Sequence, residues 1–105
     1  MYGLEQVAVV VEMAETRGNP WQRNGCHIGA MQICHRFSTV PLPALLLWVP
    51  PINRIEGRRM LQYWLGRAGG DWRRAISAYR CGNAGLRLRC GQVYTNWVFA
   101  QLERR

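Results

Sequence analysis

The chain has 105 residues, 49% of them hydrophobic, and a formal charge of +8 that comes from fourteen Arg and no Lys. That size suits one globular domain, residues 1–105, and leaves no room for a second; the positive field favours anionic partners such as nucleic acid, a membrane surface or an acidic cell wall. The basic blocks Arg58-Arg59, Arg73-Arg74 and Arg104-Arg105 are separated by apolar residues, which argues against a nucleic-acid-binding tail, and the longest apolar stretch, Val40 to Ile52, is broken by proline and too short for a bilayer core of roughly 30 Å.

From Leu4 to Thr16, the residues Leu4, Val7, Ala8 and Val11 recur at helical spacing and predict a first helix with one inward stripe. Steps of about 100° place Glu15 on that stripe between Leu4 and Ala8, whereas Glu5 and Glu12 fall toward its polar edge. Arg17-Gly18-Asn19-Pro20 ends the helix, because Gly and Asn tolerate the left-handed conformation and Pro cannot continue the ladder. Residues 18–36 should form loop, short turn or hairpin structure. Val40 to Pro51 carries four Pro in twelve positions and reads as a buried connector with one helical turn at Ala44 to Trp48. Asn53 is the expected N-cap of a helix reaching about Arg67, with Gly57, Met60, Leu61, Trp64 and Leu65 on one face. Gly69-Gly70 stops it, and Asp71 caps the next helix, in which Trp72, Ala75, Ile76 and Tyr79 share a stripe. After a loop from Cys81 to Gly91, Tyr94, Trp97, Val98 and Leu102 predict a final helix. The expected fold class is mainly α, a compact helical domain with a small loop or hairpin region after the first helix.

The cysteines at 26, 34, 81 and 90 allow three disulfide pairings, of which 26 with 34 and 81 with 90 is the simplest. A zinc site from Cys26, Cys34 and His27 or His35 is the rival, at a spacing that fits no common zinc pattern. The N-terminus MYGLEQVAVVVEMAE lacks a basic leader and carries carboxylates in its apolar run, so no secretory signal is expected.

Several blocks then combine in one order: Glu15-Thr16-Arg17-Gly18-Asn19-Pro20, Gly29-Ala30-Met31-Gln32-Ile33, the series Pro50, Asn53, Gly57, Leu61, the run Ala78-Tyr79-Arg80-Cys81-Gly82, and Tyr94 with Val98. In this the chain resembles the soluble lytic transglycosylases of the lysozyme-like superfamily, from about Glu12 to Leu102. The resemblance implies a lysozyme-like α+β fold and cleavage of the MurNAc to GlcNAc bond of peptidoglycan, with Glu15 as the catalytic residue. It further implies that Met31, Gln32, Tyr79, Thr16 and Tyr94 contact substrate. Glycan strands are then the partner of a monomer that needs no cofactor or metal and binds no nucleic acid. The site of action would be the periplasm or cell wall, reached as a phage lysin or secretion-associated muramidase reaches it, or after removal of a leader.

The chemistry fits the position of Glu15. Breaking a glycosidic bond requires an acid that keeps its proton near neutral pH; burial and the negative end of a helix dipole both favour the neutral carboxyl. A salt bridge to Arg17 or another Arg would act in the opposite sense. Second carboxylates are scarce: Glu12 sits at the stripe's edge, Glu56, Asp71 and Glu103 read as helix-surface or capping residues, and no Asp or Glu follows Glu15 before Val40. That scarcity favours the single-Glu mechanism of the resembled family, in which the same group serves as acid and then as base toward the sugar's own 6-hydroxyl, leaving a 1,6-anhydro end. Met31 in a packed turn, and Tyr79 and Tyr94 on apolar stripes, also have plain core readings, and His27 reads as incidental. Positions 16 and 80 depart from the family pattern. Thr16 replaces Ser and keeps the hydroxyl; Arg80 replaces Asn and exchanges a neutral amide for a charged donor. The second departure is what favours the rival class, a wall-binding or structural module without turnover.

Overall fold

The computed structural model describes residues 2–105, beginning with α1 at Leu4–Thr16. Its inward stripe buries Val7, Ala8, Val10 and Val11 completely, each such side chain contributing on the order of 1.5–3 kcal/mol for Val-sized groups. The helix stops when Arg17 turns left-handed at φ 55° and its N–H bonds the Met13 carbonyl. Gly18 is left-handed as well, at φ 84°, and Asn19 turns the chain by accepting the Trp21 N–H on Oδ1 at 3.0 Å.

The segment expected to be loop or hairpin forms a small antiparallel sheet of β1 (Arg23–Asn24), β2 (His27–Ile28) and β3 (Ile33–Cys34). Arg23 pairs with Ile28, and Ile28 with Ile33. The Cys26–Cys34 bond staples the sheet, and Cys81–Cys90 closes the later loop. The zinc alternative is thereby corrected, because both thiols it needed are bonded to each other. Two short 3-10 segments follow, His35–Phe37 and Ala44–Trp48, the second lying where a helical turn was expected inside the Pro-rich connector.

Helix α2 spans Pro50–Arg67 and starts before the expected Asn53, since prolines suit the first helical turn, where no N–H partner is lost. Asn53 is therefore not an N-cap. Its side chain is fully buried: Oδ1 accepts the Met31 N–H at 2.9 Å, and Nδ2 donates to the Ile28 and Leu47 carbonyls at 2.7 and 2.9 Å. One amide thus ties the sheet and the 3-10 turn to α2. Gly29, at φ 79°, leaves the space this amide fills, because a Cβ there would strike Asn53. Gly57 plays the matching part on α2, where a Cβ would collide with the Met31 side chain. Glu56, expected on the helix surface, is instead fully buried and accepts from the Thr39 N–H and hydroxyl.

Asp71 caps α3 (Trp72–Cys81) as expected, accepting from the Arg73 N–H at 2.9 Å. Trp72, Ala75 and Ile76 are buried. The segment expected to be loop after Cys81 contains one further short helix, α4 (Asn83–Leu86), before α5 (Gln92–Glu103). On α5, Val98 and Leu102 enter the core, whereas Trp97 remains 43% exposed. Helix α1 packs on α2 and α5, and α3 packs on α2, α4 and α5. The result is a mainly α domain with a small three-stranded sheet. Among the described residues, no helix is long and apolar enough to cross a membrane.

Candidate active site

The end of α1, the 29–32 turn, the end of α3 and the first turn of α5 meet around Glu15. Thr16 makes the first connection: its buried hydroxyl donates to the Ala30 carbonyl at 2.6 Å. Tyr79 makes the second, its hydroxyl donating to the Met31 carbonyl at 2.6 Å. These bonds hold the turn against both helices and leave Glu15 facing α5, where the Tyr94 hydroxyl donates to Glu15 Oε2 at 2.8 Å.

Only 6% of the Glu15 side chain is exposed. Burial is the dominant influence and raises its pKa; the Tyr94 hydrogen bond, the Arg80 guanidinium and His27 act against that shift without reversing it. Both phenols, Tyr79 and Tyr94, are pushed well above their usual range, first by burial and then by the Glu15 charge. They are therefore donors at any ordinary pH. The salt-bridge alternative for Glu15 is realised in part, by Arg80 and not by Arg17: Arg80 Nη1 lies 3.4 Å from Glu15 Oε1, with the guanidinium 5.3 Å from the Tyr94 ring centre. Arg80 is 54% exposed, so water screens most of that attraction.

Two hollows flank this arrangement. The larger, about 780 Å³, is lined by Gln32, Tyr79 and Arg80 together with Phe37, Tyr63, Trp64 and Arg67. The smaller, about 460 Å³, is lined by Glu15, Thr16, Gln22, Tyr94 and Trp97. Glu15 belongs to the smaller one, and Arg80, which touches it, belongs to the larger.

Of the residues expected to contact substrate, Glu15, Thr16, Tyr79 and Tyr94 do converge. Met31 does not reach the cleft: its side chain is fully buried against Gly57, and only its carbonyl serves the site. This corrects the expectation that its thioether lines a subsite. Gln32 lines the larger hollow, but its amide is committed internally, donating to the Gln22 and Gly29 carbonyls at 3.1 and 2.9 Å and accepting from Asn24 at 2.9 Å. It holds a left-handed φ of 55° in doing so, and its role is to shape the turn. Residues that sequence reasoning passed over are Phe37, Tyr63, Trp64 and Arg67 in the larger hollow, and Gln22 and Trp97 in the smaller. The i, i+1, i+4 spacing of Tyr63, Trp64 and Arg67 near the end of α2 was the available signal.

No family of known proteins, no curated protein and no solved structure matches the chain.

Proposed function

We propose that this protein cleaves the MurNAc to GlcNAc linkage of peptidoglycan as a lytic transglycosylase, with Glu15 as its acid and base. The observation that carries the reading is a carboxyl group 6% exposed at the end of a helix, held by a neutral phenol and bordering a hollow. Burial keeps its proton available for a leaving-group oxygen, and Tyr94, a fixed donor, orients it. The same group, once ionised, can take the proton of the sugar's 6-hydroxyl as that oxygen closes on the anomeric carbon. Water is not consumed, so no second carboxylate is required.

The disposition of the other acids supports this choice. Glu12 is held by Arg54 at 3.0 and 3.1 Å, Glu5 by Arg58 at 2.7 and 2.6 Å, and Asp71 caps α3. Glu56 is enclosed with Thr39. None of these lines the hollow that Glu15 borders, where a nucleophile or water-activating base would have to stand. Two disulfides suit a protein working outside the reducing cytoplasm, in the periplasm or cell wall. The basic surface suits an acidic polymer.

Turbidity of purified sacculi should fall with the wild type and stay level with Glu15→Gln; equal clearing by the two would refute the assignment. Mass spectrometry of the released fragments separates anhydro ends from reducing ends. A second reading has one observation in its favour, the Arg80 contact with Glu15: a module that retains the wall but does not cut it. Sedimentation with sacculi without soluble fragments is the outcome that selects it.

A further inference from the structure

The larger hollow has a composition unlike the rest of the surface. Phe37 is 71% and Tyr63 49% exposed there, which offers flat apolar faces to a ligand. Tyr63 and Trp64 meet edge to face, with ring centres 5.1 Å apart. The Arg67 guanidinium sits 5.8 and 5.7 Å from those two rings, and its Nη1 donates to the Tyr63 hydroxyl at 2.9 Å. Across the hollow stands Arg80, whose guanidinium makes one hydrogen bond, to Glu15 at 3.4 Å, and lies 5.3 Å from the Tyr94 ring centre. A guanidinium has five N–H donors, so both arginines keep most of theirs for a ligand. No Asp or Glu lines this hollow. Two acids lie behind its wall: Glu15, which takes the Arg80 contact, and Glu56, which is fully buried and accepts from Thr39.

We propose that this hollow is a binding site for saccharides that carry a carboxylate, with Phe37, Tyr63 and Trp64 as the sugar platform and Arg67 and Arg80 as the carboxylate readers. The saccharide half rests on the glycan-cleaving role proposed above; the carboxylate half rests on the lining residues alone. Charge-assisted bonds to a planar carboxylate are roughly twice as strong as neutral ones, and the guanidinium fork matches that geometry. A neutral chitin-type sugar leaves both forks to water. A hollow of about 780 Å³ is the size of a small-ligand site, which runs from about 300 to about 1,000 Å³; a polynucleotide needs instead an extended basic track. The departure at position 80 from the pattern of the resembled family thus becomes a specificity element: the residue that touches the acid also greets the ligand's charge.

The probe is GlcNAc-β-1,4-MurNAc, which bears a lactyl carboxylate and lacks the MurNAc to GlcNAc bond, compared with chitobiose and with the methyl ester of the probe. Titration calorimetry or Trp fluorescence at low ionic strength should show the acid bound about tenfold tighter than either neutral sugar. The preference should shrink with added salt, and separately in Arg67→Gln and Arg80→Gln, both substitutions at exposed side chains. Equal affinities, no binding of any of the three, a preference that survives both substitutions, or tighter binding of a single-stranded oligonucleotide at the same salt would overturn the proposal. Turnover plays no part in the readout. Loss of sacculus clearing with the preference intact counts against the enzymatic reading only, and the converse counts against this one only.

Discussion

Arg80→Asn removes the guanidinium that touches the candidate acid and leaves a neutral amide in its place. At the observed separation of 3.4 Å, a pair of unit charges interacts by about 1 kcal/mol in bulk water and by about 4–5 kcal/mol at an effective dielectric near 20. The guanidinium is 54% exposed, so the lower figure applies, further screened by salt. An effect of about 1 kcal/mol is roughly fivefold in an equilibrium. Its sign is fixed: Arg80 favours the carboxylate, so its removal favours the neutral acid and raises the Glu15 pKa above its already raised value. On sacculi, the alkaline limb of the kcat/KM profile, which reports loss of the acid's proton, should move to higher pH in Arg80→Asn. A carbon-13 titration of the Glu15 carboxyl should follow it and needs no turnover. A carboxyl titrating at the same or a lower pH in the variant would refute the reasoning, because it would mean that the Arg80 contact is not felt in solution. The fold should hardly notice, with a stability change below about 1 kcal/mol.

Glu15→Gln should raise the melting temperature at neutral pH, because the folded protein holds this carboxyl in a place that disfavours its charge. A carboxyl whose folded pKa lies above its ordinary value of 4.5 binds more protons in the folded state, so its contribution is most favourable below that value and is lost as pH rises through the folded pKa. The melting advantage of the variant should therefore grow over that window and vanish in acid; an advantage that grows toward low pH would be inconsistent with a desolvated acid. Asn53→Ala should cost at least about 3 kcal/mol by chemical denaturation, since it strands the Met31 N–H and the Ile28 and Leu47 carbonyls in the interior. A loss near 1 kcal/mol, as for a surface helix cap, would show that these groups find other partners.

What could be read from the chain, and what could not, divides along the range of the interactions. Helix α1 and the placement of Glu15 on its inward stripe follow from periodicity over a few turns. The Asp71 cap and the end of α2 at Gly69-Gly70 are equally local, as is the close pairing of the cysteines. Asn53 and Glu56 were misread for one reason. Each stands in a segment whose local pattern suits a cap or a solvated face, and each is buried by partners far away in sequence: Met31, Ile28 and Leu47 for the amide, Thr39 for the acid. Met31 was misplaced because only the approach of Gly57 makes its position interior. Likewise Tyr63, Trp64 and Arg67 look like an ordinary exposed helix face until Phe37 and the end of α3 stand opposite them.

The arginines supply the last step, because they separate Glu15 from the other acids. Glu5, Glu12, Glu15, Glu56 and Asp71 each lie within reach of an Arg, but the contacts are not equivalent. Glu5 and Glu12 receive two-pronged bonds of 2.6–3.1 Å from α2, and these act as struts between α1 and α2 with both oxygens committed. Glu56 has its bonds from Thr39, and Asp71 from backbone N–H groups. Glu15 and Glu56 both combine burial with one long contact to an exposed Arg, at 3.4 and 3.8 Å, but Glu56 fills its oxygens from Thr39 in the interior, whereas Glu15 takes one short bond from a neutral phenol and borders a hollow. A structural carboxylate needs a firm counter-charge to offset its desolvation, whereas an acid that must hold and then release a proton needs a donor that orients it without fixing its charge. The pairing pattern gives Glu12, 15% exposed and doubly bonded to Arg54, the first environment and Glu15 the second.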